Sequence, residues 1–293
     1  MTDLAVIILT KDERLHIQRC LERLAPLEPR QVFIVDSLSN DGTQEIVEEF
    51  ANGSVGGWKD DITHKHAKTQ TQQLVLVEHP WPGLQSLQFN WALDNLPIET
   101  KWVLRLDADE YLADASINWL KNNIESIDDR VGALEFTLER KFLGREIRHG
   151  TNGISMIRMF RMGRGRYAET LMDERIVFKG ERQTPPVVFY DDNLNSLGWW
   201  REKHRGYALR EARQALENSS QDPRKAKYYK LPPYFRAFLY FCIRYVVKGG
   251  FLDGYAGWMW HFWQGLWYRW LVDREIGRMK RARHREGKAS GLR

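Results

Sequence analysis

The chain has 293 residues, 43% hydrophobic and 28% charged, with a formal net charge of +5. That length buries a substantial core, and that balance excludes intrinsic disorder. Two distant cysteines, Cys20 and Cys242, exclude a disulfide framework and a metal knuckle. No basic, cleavable leader and no 18-residue uncharged apolar run occur, so neither a secretory signal nor a spanning helix is expected.

Residues 4–9 form an apolar run of strand length, as in a sheet covered on both faces. Thr10 and Asp12 are candidate caps for a helix whose apolar positions are Ile17, Cys20, Leu21 and Leu24. Residues 32–35 are a second buried strand ended by Asp36, and Ser-Asn-Asp-Gly-Thr at 39–43 caps a helix through Ile46 and Val47. Residues 51–73 are polar and contain glycine, the texture of a surface insertion; His64 and His66 within it are expected to be a surface pair. Residues 74–77 and 102–106 are further strands, the last running into Asp107-Ala108-Asp109-Glu110. This alternation predicts an α/β protein with a doubly wound, mostly parallel sheet.

From residue 131 the texture changes. Segments 133–138, 154–160 and 175–178 read as strands of a mixed or antiparallel portion, and a Tyr-Asp-Asp turn near Asp191 precedes a helix containing Trp200, His204, Tyr207 and Ala212. The expected organisation is 1–115 as a nucleotide-binding half, 116–228 as an acceptor-binding half of the same domain, and 229–293 as a helical, aromatic segment with a basic tail.

Ligands of open parallel sheets bind at the carboxyl ends of the strands. Three such ends here carry polar groups: Thr10, Asp36, and the acidic run at 107–110. Asp107 and Asp109 share parity, so their side chains emerge on one side. Paired carboxylates repel unless a cation lies between them, and Mg²⁺ takes one or two carboxylates together with phosphate oxygens. The bland alternative is a helix-capping acid pair facing water. No P-loop, no dinucleotide fingerprint after the first strand, no Gly-x-Ser-x-Gly and no His-Glu-x-x-His occurs.

The chain resembles the inverting family 2 glycosyltransferases, in the branch that builds lipopolysaccharide core and related surface glycans. The resemblance is carried by Ile-Ile-Leu-Thr-Lys-Asp-Glu at 7–13, Ile-Val-Asp-Ser-Leu-Ser-Asn-Asp-Gly-Thr at 34–43, Gln-Phe-Asn-Trp-Ala-Leu at 88–93 and Trp-Val-Leu-Arg-Leu-Asp-Ala-Asp-Glu at 102–110. Looser matches are Arg-Met-Phe at 158–160, Asp-Glu-Arg at 173–175 and the Lys203-His204 region. Asp12 stands where the family usually has Asn, and Asp173 where this branch commonly has His.

The resemblance implies a GT-A fold and transfer of a sugar from a nucleotide donor, with a UDP-sugar as the expected donor, to a lipid-linked or lipopolysaccharide-core acceptor. It implies nucleotide-sugar contacts from Thr10, Glu13, Asp36, Asn90 and Asp107, and a divalent metal, Mg²⁺ or Mn²⁺, on Asp109. Inversion needs a carboxylate that takes the acceptor proton; Glu174 is the candidate, with Asp173 next. Arg158, Lys203 and His204 are candidates for acceptor or phosphate contacts, with surface ion pairs as the alternative. Two other readings compete: a basic, aromatic module gripping single-stranded nucleic acid, and a nucleotidyltransferase, whose basic, glycine-rich phosphate loop is missing after the first strand.

Five of the 12 tryptophans fall between Trp258 and Trp270. Helical spacing places Trp260, Trp263, Trp267 and Trp270 on one face and Trp258 off it. Interspersed charges disfavour a spanning helix, so an amphipathic helix at the cytoplasmic face of the inner membrane is expected, with packing on the main domain or a dimer contact as alternatives. Six basic residues between Arg278 and Lys288 would add attraction to anionic lipid, or form a solvated tail.

Overall fold

The computed structural model describes residues 1–52, 73–151, 153–168, 175–217 and 228–290. The chain divides into two compact units, 1–141 with 153–194, and 142–152 with 195–293. In this division the helix after residue 195 groups with the C-terminal helices.

The first unit is built on a mixed sheet. Strands β1 (Thr2–Thr10), β2 (Pro29–Asp36), β3 (Gln73–Glu78) and β4 (Trp102–Asp107) are parallel neighbours in the order β3-β2-β1-β4. The sheet continues with β8 (Ile154–Arg161), β6 (Val131–Phe142), β12 (Val188–Asp192) and the short β5 (Glu110–Leu112). β8 is antiparallel to both neighbours, and β12 is antiparallel to β5. The parallel half and the mixed half are therefore both as expected, although the sheet as a whole is mixed rather than mostly parallel.

β1 is the centre of this unit. Leu4, Val6 and Ile8 face one apolar core with Ile17, Leu21, Val32 and Leu104, while Ala5, Ile7 and Leu9 face another with Phe33, Phe89 and Phe160. A strand buried on both faces must be apolar at every position, which is why its sequence does not alternate. Helices α1 (Ile17–Leu24), α2 (Thr43–Ala51), α3 (Gln85–Asn95) and α4 (Asp114–Asn123) cover the sheet.

Two local expectations are corrected. Thr10 and Asp12 do not cap α1, which begins after His16 without a side-chain cap. Asp12 lies in the left-handed region at φ 56° and accepts from the backbone N–H of Asn40, so the polar groups here hold the 39–43 loop instead. Tyr190, Asp191 and Asp192 are not a turn but the last residues of β12. Of the insertion expected at 51–73, Ala51 ends α2 and Gln73 opens β3, while residues 53–72, with His64 and His66, lie outside the described residues.

The second unit is helical. The helix α5 (Leu197–Leu216) is capped by Ser196, whose side chain accepts from the N–H of Trp199. Its Ala208 and Ala212 pack on Tyr268, Leu271, Val272 and Ile276. The helix Gly254–Trp260 passes through a π-helical stretch, His261–Trp267, into the helix Tyr268–Ser290. Trp260 is buried beside Trp200, with Trp263 and Trp267 packed against them, whereas Trp270 is exposed next to Tyr234. The expected tryptophan stripe is thus mainly core. The π turn shifts the helical phase, so the four rings do not share a face. Among the described residues no helix is long and apolar enough to cross a membrane.

Charges are buried in this unit as pairs. Arg236 is 4% exposed and its guanidinium donates to Asp273, which also accepts from the N–H of Tyr234 at 2.7 Å. Glu211 accepts from Tyr229, Tyr268 and Arg269 at 3.0, 2.6 and 2.6 Å. Removing one member of a buried pair strands the other. Asp273→Ala is expected to cost about 3–5 kcal/mol, read as a lower midpoint in thermal or urea unfolding; a loss under about 1 kcal/mol would show that Arg236 reaches water.

Candidate active site

The register fixes the strand ends side by side: Thr10 lies opposite Asp36, and Leu9 opposite Asp107. They form the carboxyl edge of the parallel strands, where open sheets of this kind bind their ligands.

Asp36 is fully buried and its carboxylate is saturated. Oδ1 accepts from Thr10 Oγ1 at 2.7 Å and Ser39 Oγ at 2.6 Å; Oδ2 accepts from the Ser39 N–H and Gln44 Nε2, both at 2.7 Å. Burial pushes this carboxyl up, but the donors from Ser39, Gln44 and Thr10 outweigh it and hold it below its usual range. Asp36 therefore fixes the loop that follows β2 as well as standing at the carboxyl edge.

On the other side of β1 from β2, the turn from β4 to β5 gathers the acids. Asp107 Oδ1 accepts from Arg105 Nε and Nη2 at 3.2 and 3.0 Å, and Arg158 Nη1 lies 4.0 Å from Oδ2. Glu110 is buried; it accepts from the Asp107 N–H at 2.9 Å and from Arg158 Nη2 at 2.5 Å. Burial pushes the Glu110 carboxyl up while Arg158 pulls it back. Asp109 is half-buried, with Oδ2 accepting from Asn193 Nδ2 at 2.8 Å. Burial, then Asp191 and Asp107, push Asp109 up to about 6.

The end of β12 closes the other side. The Asp192 N–H donates to the Asp109 carbonyl at 3.0 Å, Arg140 holds Asp191 at 2.7 Å, and Arg19 donates to the Asp192 carboxylate at 3.0 Å. His16 ties this loop to β1. Its Nε2 accepts from the Leu194 N–H at 2.9 Å, so the proton of the neutral ring sits on Nδ1 and is donated to Glu13 Oε2 at 2.6 Å.

Thr10, Glu13, Asp36, Asp107, Asp109 and Arg158 thus belong to one edge of the first unit. Asn90 is placed differently: it is buried and its amide exchanges two hydrogen bonds with the backbone of Tyr167, at 2.9 and 3.0 Å. Lys203 and His204 lie on α5 of the second unit, Lys203 over the Trp199 ring and His204 stacked on Trp200. Asp173 and Glu174 lie outside the described residues. Sequence reasoning missed His16, Arg105, Asp191 and Asn193. Only Arg105 had a local signal, its shared parity with Asp107.

The donor set suits a hard cation. Asp109, Asp107 and Asp191 offer oxygen only, and their mutual repulsion is what a divalent ion relieves. Among the described residues no three His, Cys, Asp or Glu side chains gather closely enough to hold a metal unaided.

A GT-A-like α/β sheet with acids at its carboxyl edge is the frame of a nucleotide-sugar glycosyltransferase. Residues 5–170 match the family model described as glycosyl transferase family 2, and the chain belongs to that family. The fold is similar to that of a mannosyltransferase from Pyrobaculum calidifontis solved with GDP-Man and Mn²⁺, at a TM-score of 0.52 and 17% identity, covering 94% of this chain and 86% of that one. A looser likeness is to TarS of S. aureus, residues 1–349, at a TM-score of 0.40 and 16% identity over 98% and 92% of the two chains. At such identities the likeness is one of fold. Comparison with curated proteins finds no match.

Asp36→Asn would set amide hydrogens against donors from Thr10, Ser39 and Gln44. We expect a loss of about 1–3 kcal/mol at neutral pH. Because the folded carboxyl is held low, its contribution is present above the unfolded pKa and disappears as pH falls, so the gap between wild type and variant narrows below about pH 4. Chemical denaturation at neutral and acid pH reads both; a gap independent of pH would remove the charge from the argument.

Proposed function

We propose that this family 2 glycosyltransferase moves a sugar, with inversion, from a nucleoside-diphosphate donor to a lipid-linked or lipopolysaccharide-core glycan at a membrane surface. The observation that supports this reading most is the half-buried Asp109, pushed up to about 6 by burial beside Asp191 and Asp107 at the strand edge. In this proposal Asp109 holds Mg²⁺ or Mn²⁺, which when bound neutralises charge on the departing diphosphate.

Each of this chain's own groups then has a task. Thr10, Glu13 and Asp36 shape the nucleoside pocket, Asp36 by fixing the 37–44 loop, and Asp107 faces the ribose. Asn90 serves the same pocket indirectly by anchoring Tyr167, beside which Arg105 stacks at 4.8 Å. Arg158 holds Glu110 and thereby the acidic turn. Glu174, or Asp173 beside it, takes the proton of the acceptor hydroxyl as that oxygen attacks. Lys203 and His204 enter as acceptor or phosphate contacts through the family resemblance alone. A uridine donor is our first choice of base. The nucleic-acid reading has lost its footing, since Trp260, Trp263 and Trp267 pack inward instead of offering a stacking platform.

Thermal shift with UDP, GDP, ADP and CMP, each with and without Mn²⁺, tests the donor class. A ligand at about 100 times its Kd stabilises by about 2.7 kcal/mol. We expect one diphosphate to act in a metal-dependent way, and Asp109→Ala to abolish that response; no response to any nucleotide would sink the proposal.

Cation and proton compete for Asp109, so the metal-dependent shift is expected to shrink as pH falls from about 7.5 to about 5.5. Without the cation the sign for stability is opposite. A carboxyl with a raised folded pKa favours the fold when protonated, and that contribution fades as pH rises through about 6.

Glu174→Gln separates chemistry from binding. It should lower kcat by about 10²–10⁴-fold while leaving the nucleotide shift intact. Unchanged turnover would move the base to Asp173.

A further inference from the structure

Between residues 231 and 258 the second unit is turned inside out. Apart from Lys248, the charges point inward: Arg236 pairs with Asp273, and Arg244 is buried, donating to the Gly150 carbonyl at 3.2 Å and to Gln264. Asp253, the one acid in that stretch, is 4% exposed at its side chain and accepts from the His149 backbone and ring at 2.9 and 2.6 Å. The large apolar side chains point outward instead. Phe238, Val246, Val247, Phe251, Leu252 and Tyr255 are all more than half exposed, Val247 at 77% and Tyr255 at 71%.

These six side chains ride on consecutive short helical pieces, Phe235–Cys242, Ile243–Val247, Gly250–Asp253 and Gly254–Trp260. The bend between them is tight. Gly249 has a φ of 71°, and a Cβ on Gly250 would meet the His261 ring at 2.4 Å. With glycine and imidazole filling the inside of the bend, its apolar side chains have nowhere to turn but out. Large apolar side chains exposed together in this number mark a surface that meets a partner.

Charge selects the partner. The exposed cation at the tip is Lys248, between Val247 and Gly249, and the helix that follows carries exposed Arg274, Lys280 and Arg281. With Asp253 turned inward, residues 231–258 show no carboxylate to the outside. A two-fold contact between copies centred on this tip would bring Lys248 towards its own twin. An anionic bilayer meets both demands, since its interface takes apolar side chains and its headgroups take lysine.

We propose that this apolar tip, not the tryptophan-rich stretch 260–267, is the surface by which the protein docks on an anionic lipid bilayer. Val246, Val247, Phe251 and Leu252 enter the interface, and Lys248 stays at headgroup level. The inference rests on the membrane-associated reading above for its setting, and it is tested without sugar transfer.

The test is flotation of the full chain with vesicles of phosphatidylcholine alone and of phosphatidylcholine with an equal part of phosphatidylglycerol. Binding to the anionic vesicles is expected, and Val247→Glu with Leu252→Glu should weaken it at least about tenfold. Both positions are exposed, so the melting temperature and the response to nucleotide with Mn²⁺ should match wild type. Equal binding by the double variant, or no binding of wild type to either vesicle, overturns the proposal. So does a dimer in solution that the double variant splits, which would give the surface to a second copy. A lost nucleotide response with vesicle binding intact would instead fault the transferase reading and leave this one standing.

Discussion

Everything in the first unit depends on β1 having no face to water. Leu4, Val6 and Ile8 are sealed on one side and Ala5 and Ile7 on the other, while β2 and β4 take both edges. A polar side chain inside such a strand would be stranded, so chemistry can appear only where the strand stops. Parallel pairing then decides which stops coincide. Thr10 meets Asp36 because the registers of β1 and β2 match, and the acidic turn after β4 falls on the same edge. The site is the rim of a packing solution, and its polar groups are held by hydrogen bonds that the rim itself supplies.

That rim was legible in part. Apolar runs at 4–9, 32–35, 74–77 and 102–106 gave the parallel strands within a few residues, since strands sealed on both faces leave an unbroken hydrophobic signature. The polar strand ends followed directly. Long-range closure left no such trace. Arg19 reaches Asp192 across 173 positions, and Asn193 reaches Asp109 across 84. Tyr-Asp-Asp at 190–192 carries turn-forming acids, yet pairing with β5 and β6 extends it into a strand. Thr10 and Asp12 misled for a related reason: their type suits a helix cap, but a neighbouring strand end and loop claimed them first.

The aromatic segment shows the limit of composition. Tryptophans at steps of three and four suggested one exposed stripe, and charges among them suggested an interfacial helix. In the structure the rings of Trp260, Trp263 and Trp267 pack with Trp200, while less conspicuous valine, leucine and phenylalanine side chains face outward between residues 238 and 255. Burial of Arg236, Arg244 and Asp253 could not be read from type, because charged side chains are inside only when a partner brings them there.

The π-helical stretch His261–Trp267 joins two seams that one long helix makes with α5. Its first part turns Trp260 to Trp200, and its last part turns Leu271, Val272 and Ile276 to Ala208 and Ala212 of α5. The wider turn absorbs the angular difference between those two seams. Its residue count is consequently a gear setting. Deleting a single residue there would wind everything downstream by about 100°, setting Asp273 where Val272 packs and Gly277 where Ile276 packs against the alanines of α5. Substitutions along this helix can be judged one at a time, whereas a change of length would be felt at once by every contact beyond it.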